Sequence, residues 1–120
     1  MQTSTAFALS LLFAAGAAQA LTVDPKAMAR FDISYANCEV QIPAMKGHRD
    51  EAYLSLWRAR ADDKTRAQLA AVRQGAPYQA ERKRVQQAAA QGTLPPASSP
   101  IDQQCQALWG ETQRALQAKQ

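Results

Sequence analysis

Two cysteines, Cys38 and Cys105, constrain this chain more than any other feature of its 120 residues. What they do depends on where the chain goes. The first twenty residues, MQTSTAFALSLLFAAGAAQA, carry no charged side chain, and Ala6 to Ala18 is almost wholly apolar before the triplet Ala18, Gln19, Ala20. That is the pattern of a secretory signal peptide, cleaved after Ala20, although only the terminal amine of Met1 stands in for the usual basic start. The apolar run falls short of the roughly 20 residues that a spanning helix needs, so no transmembrane segment is expected in the mature chain. No cysteine adjoins the cleavage point, and a lipid anchor there is not expected. The sequence thus predicts an exported protein, periplasmic first and secreted otherwise, with residues 1–20 as signal peptide and 21–120 as a single domain.

In an exported chain two cysteines read first as one disulfide, Cys38 to Cys105. It would close a loop of 67 positions. In the chain-entropy model such a loop contributes about 4 kcal/mol, a large share of the ~5–15 kcal/mol typical of a domain. The domain needs the help. From Leu21 onward only 24 residues are Val, Ile, Leu, Met, Phe, Trp, Tyr or Cys, while Ala and Gln fill much of the rest, and small domains bury a low fraction of their surface. The rival reading, a free catalytic thiol, needs a reducing compartment or a sheltered site.

Nearly everything after Pro25 reads as helix. Met28, Phe31, Tyr35 and Cys38 form one helical stripe between Pro25 and about Val40, with Asp24 as N-cap before a first-turn proline. Ile42 and Pro43 interrupt it. A second helix is expected from His48 or Arg49 to Ala61, crowded with Ala52, Tyr53, Leu54, Leu56 and Trp57 and therefore central. A third runs from about Lys64 to Gln74, capped by Asp62 or Asp63 and carrying Leu69 and Val72, and Gly75 suits its end. A fourth runs from Pro77 to about Gln91 with Tyr78 and Val85. GTLPPASSP, residues 92–100, is a linker. Ser99 as N-cap with Pro100 and Asp102 opens a last helix, whose buried face is expected to hold Ile101, Cys105, Leu108, Trp109 and Leu116. The disulfide requires the first and last helices to be neighbours. The fold class is therefore all-α: a compact bundle of four to five short helices with one disulfide, after the signal peptide.

Chemistry is sparse. His48, the single histidine, could seed a metal site or act as a base with Glu39, Asp50, Glu51 or Cys38, but position 52 is Ala, where a second helical ligand would stand. A helix start, with Asp50 and Glu51 at the positive end of the helix dipole, accounts for the same residues. The serines at 34, 55, 98 and 99 lie in no Gly-x-Ser-x-Gly setting, and a small helical domain offers little room for a paired-carboxylate cleft. No catalytic residue, cofactor or metal ligand is predicted.

Charge is more informative. Between Arg58 and Arg84 lie eight bases (Arg58, Arg60, Lys64, Arg66, Arg73, Arg82, Lys83, Arg84) and three acids, net +5, and the remaining residues sum to −1. Arg66 and Arg73 share a helix face, and Arg82, Lys83 and Arg84 cluster one helix later. An exported protein rarely meets nucleic acid, so lipid phosphate, cell-wall polymer or an acidic protein surface are the anionic partners to consider. The plain alternative is a solvated face with Glu81 paired locally. Tyr53, Trp57 and Trp109 could anchor a partner, with core packing the simpler role for all three.

In outline, a signal peptide followed by a small helical domain with one disulfide is similar to the periplasmic acid-stress chaperones. The likeness is one of architecture. Those proteins depend on carboxylate-rich chains, whereas this chain is basic and shares no motif with them, so their function is not carried over. The expectation is instead a small exported, non-enzymatic protein that binds another envelope protein, as an inhibitor, immunity factor or adaptor does. Two alternatives stand beside it: an electrostatic binder of anionic envelope surface through Arg58 to Arg84, and a metal-assisted hydrolase around His48.

Overall fold

The computed structural model describes residues 21–94 and 100–118. The expected signal peptide and residues 95–99 of the linker, Ser99 among them, lie outside the described residues; Pro100, expected at the first helical position, is instead the cap residue before the last helix, which begins at Ile101. Among the described residues five helices follow in order: α1 (Pro25–Gln41), α2 (Arg49–Leu56), α3 (Asp63–Gln74), α4 (Ala76–Ala90) and α5 (Ile101–Gln117), with a 3₁₀ turn over Pro43–Met45 between the first two. There is no strand among the described residues.

Local chemistry explains most boundaries. Asp24 caps α1, its carboxylate accepting from the Lys26 amide at 3.0 Å, and Pro43 follows its end. Asp62 caps α3 through a reciprocal pair: its side chain accepts from the Thr65 amide at 2.9 Å, while Thr65 Oγ1 accepts from the Asp62 amide at 3.0 Å. Such a pair satisfies two amides that a helix start otherwise leaves open. Gly75 ends α3 with φ −77°, so its value there is space and not backbone freedom: a Cβ would stand 3.2 Å from the Val72 carbonyl oxygen.

α2 ends at Leu56, five residues before the expected Ala61. The reason is a left-handed stop. Arg58 has φ +51°; its amide donates to the Ser55 carbonyl at 3.1 Å, and the Ala59 amide reaches back to the Leu54 carbonyl at 2.9 Å. This paired closure normally places glycine in the left-handed position. α4 ends in the same way, and there the position is Gly92, φ +68°.

The central helix is α1, not α2: all four other helices pack on it. α2 is too short for that role and lies between α1 and α5. Along α1 the core divides in two. Met28 and Ala29 join Tyr53, Leu54, Leu69 and Tyr78, whereas Tyr35 and Cys38 join Met45, Ala52 and Cys105. Phe31 bridges both groups, its ring 5.3 Å from Tyr53 and 5.8 Å from Tyr35.

The second group has few large side chains, and the disulfide is its anchor. Cys38 and Cys105 are bonded at 2.04 Å with Cα atoms 5.3 Å apart, which holds α5 to α1 as expected. Both cysteines are buried. The face of α5 differs in part from expectation. Ile101 is exposed, Leu108, Trp109 and Leu116 are half-buried, and Thr112 is fully buried. Thr112 escapes a sequence reading because it is polar; its hydroxyl donates to the Leu108 carbonyl at 2.8 Å, which removes the cost of burying it.

Candidate functional site

A buried carboxylate organises the charged residues. Asp32 sits on α1 among Met28 and Tyr35, only 1% exposed. Arg73 reaches it from α3 with two bonds, Nε to Oδ2 at 2.8 Å and Nη2 to Oδ1 at 3.1 Å. From α4 the Tyr78 hydroxyl donates to the same Oδ2. The third guanidinium nitrogen of Arg73 donates to Asp50 of α2 at 2.7 Å. Four helices thus meet on one ion cluster. Burial opposes the Arg73 charge, but hydrogen bonds and charge from Asp32 and Asp50 outweigh it and hold the guanidinium above its ordinary range. Burial and then Asp32 raise the Tyr78 hydroxyl.

The same pattern recurs around it. Arg66 donates to Glu51 and Arg49 to Glu39, each at 3.1 Å, and Arg84 pairs with Glu81, which is 7% exposed. Arg82 donates to the Tyr78 hydroxyl at 3.1 Å and, with Lys83, lines a shallow depression on α4. The basic stretch therefore forms no single surface. Arg66 and Arg73 do share a face of α3, and that face is spent on acids of α1 and α2. Lys64 and Lys83 are exposed. Asp32 could have been found from spacing, since it lies four residues after Met28 and three before Tyr35 on the buried stripe.

His48 stands at the cap position of α2, its ring 5.7 Å from that of Trp109. Each neighbour considered for a metal site is engaged elsewhere: Glu39, Asp50 and Glu51 bond arginines, and Cys38 is oxidised. Among the described residues no group of three His, Cys, Asp or Glu could hold a metal ion. No described helix is long and apolar enough to cross a membrane.

The aromatic residues separate. Tyr53 is buried as expected and Trp109 half-buried, but Trp57 is 57% exposed, with Leu56 beside it at 52%. Trp57 was expected in the core because α2 was expected to continue past it; the left-handed stop at Arg58 ends the helix first and leaves the indole on the surface. Immediately beyond lies an open cleft of about 410 Å³ between this turn and the end of α5, lined by Arg58, Ala59, Arg60, Glu111, Arg114 and Leu116 among others. Neither the Arg58 nor the Arg60 side chain has a hydrogen bond or ion pair among the described residues. An exposed tryptophan and leucine thus stand next to two exposed arginines, of which Arg60 lies close enough to Asp62 to help hold that carboxyl below its ordinary range, after the Thr65 amide and hydroxyl. Scans against protein-family models, curated proteins and solved structures each give no match for this chain.

Proposed function

We propose that this is a small exported, non-enzymatic protein that binds another envelope protein through the turn after α2, as an inhibitor, immunity factor or adaptor does. The observation that carries the reading is Trp57. In a domain short of large apolar residues, full burial of its indole would be strongly favourable, yet one side of the ring rests near Tyr53 at 6.4 Å and more than half of the residue stays exposed beside Leu56. The leader-like first twenty residues and the oxidised cysteine pair support an exported, periplasmic setting.

The test is capture. The oxidised protein is immobilised and exposed to an envelope extract of the source cell at raised salt, in three forms: unaltered, Trp57→Ala and Lys83→Glu. Retention of one protein by the unaltered and Lys83→Glu forms but not by Trp57→Ala supports the reading. Equal capture by all three overturns the proposal that binding runs through the turn after α2. Capture that vanishes at raised salt in all forms, with binding to phosphate-bearing vesicles in its place, moves the function to the anionic envelope surface, which would be met through the exposed basic residues.

A further inference from the structure

The chain has nine arginines. Seven of them give the guanidinium an oxygen partner among the described residues, in each case a carboxylate, a carbonyl or a hydroxyl. The two that do not, Arg58 and Arg60, line the same cleft. The acids of that cleft are already engaged: Glu51 accepts from Arg66 at 3.1 Å, and Glu111 accepts from Arg114 at 2.8 Å. What remains is a rim with two guanidinium groups that no carboxylate among the described residues bonds, Arg60 having only the through-space attraction of the Asp62 cap, over walls that include Ala59, Ala61, Ala115 and Leu116.

Arg58 carries a second signal. Its left-handed backbone is one that side chains with a Cβ adopt at a cost, and α4 solves the same problem with Gly92. An arginine standing where glycine is easier, exposed and without a side-chain hydrogen bond at the mouth of a cleft, is a strained residue of the kind that clusters at binding sites.

We infer that the cleft accepts a short segment of the partner protein in which one apolar side chain is flanked by carboxylates, the apolar group seated against Ala59, Ala115 and Leu116 and the carboxylates bonded to Arg58 and Arg60. This rests on the reading that the protein binds another protein, and gives that partner a chemistry. Guanidinium groups suit carboxylates because two parallel N–H groups match two oxygens. A cleft of about 410 Å³ lies within the range of small ligand sites. Its concave form favours a protruding side chain over a flat membrane surface.

The experiment is an amide NMR titration of the full-length oxidised protein with two synthetic peptides, one with a leucine flanked by aspartates in a Gly/Ser background, the other with asparagines in their place. The expected result is saturable shifts at Ala59, Ala61, Ala115 and Leu116 with the aspartate peptide, and affinity lower by about tenfold or more with the asparagine peptide, a difference of about 1.4 kcal/mol. Arg60→Gln should weaken the aspartate peptide by about threefold or more, as should Arg58→Gly. The glycine variant is the informative one, because it should melt at a higher temperature while binding less, so its loss of binding is not loss of fold. Equal binding of the two peptides overturns the inference, as does an Arg58→Gly variant with unchanged affinity, or shifts confined to other surfaces. If these peptide results fail while Trp57-dependent capture persists, the inference falls and the proposed function stands. If capture does not depend on Trp57, the proposed function falls by itself.

Discussion

Replacing Asp32 with asparagine changes no volume and removes one charge, and the structure sets the size of the response. Three donors converge on the buried carboxylate: Arg73 Nε, Arg73 Nη2 and the Tyr78 hydroxyl. An asparagine offers one acceptor oxygen and turns an NH₂ toward the others, so at least one donor faces a donor with no water to relieve it. Removing one partner of a buried pair costs about 3–5 kcal/mol. Asp50 remains on Arg73 at 2.7 Å, so the lower end, about 3 kcal/mol, is expected. For a domain of ordinary stability, about 5–15 kcal/mol, that is a large fraction. Urea unfolding followed by far-ultraviolet circular dichroism should show the midpoint falling by roughly 2 M at an ordinary slope. Glu111→Gln supplies the control. Its pair with Arg114 is of similar length, 2.8 Å, but both side chains are more than half exposed, and its loss should cost no more than about 0.5 kcal/mol. If Asp32→Asn shifts the midpoint no further than Glu111→Gln, the central role given to the buried cluster is wrong.

Three further outcomes follow from separate observations. Arg58→Gly should stabilise the fold by about 0.5–1 kcal/mol, because relief of the left-handed penalty exceeds the added freedom of the unfolded chain; an unchanged or lower melting temperature contradicts the strain. Oxidised protein should show no free thiol under denaturing titration, and Cys38→Ala with Cys105→Ala should lose about 4 kcal/mol by loop entropy, with α5 amides the first to exchange. Tyr35 is raised to about 12, by burial first and the Glu39 carboxylate second. Its folded value lies above its unfolded one, so this contribution to stability is complete below pH 10 and is lost as pH rises toward 12. Spectrophotometric titration should therefore find Tyr35 protonated through pH 11 in folded protein; ionisation near 10 would mean that its hydroxyl, bonded to the Met45 carbonyl at 2.6 Å, is not sealed from water.

The caps made the helices legible. Asp24 before Pro25, Asp62 with Thr65, Gly75 and the break at Ile42 and Pro43 are local chemistry, and each acts within a few residues of itself. That is why α1 and α3 lie within a residue or so of their expected bounds. The end of α2 was not legible for the converse reason. Arg58 has no local preference for a left-handed backbone, and only the packing of Ala59 beside Leu54 and the demands of the α2–α3 connection put it there. One misplaced helix end then misplaced Trp57. The charged residues show the same division: the surplus of bases between Arg58 and Arg84 is plain from composition, but which of them remain free is not.

By itself the sequence determined an all-helical chain, the spans of its capped helices, and a single possible pairing of two cysteines, because hydrogen bonding at helix ends and the count of thiols need no knowledge of neighbours. Tertiary structure decided that α1 is the centre, that Asp32 draws Arg73, Asp50 and Tyr78 around it, and that Arg58, Arg60 and Trp57 are left facing solvent. Helical periodicity says which side chains share a face; what covers that face depends on the packing of segments far apart in the chain.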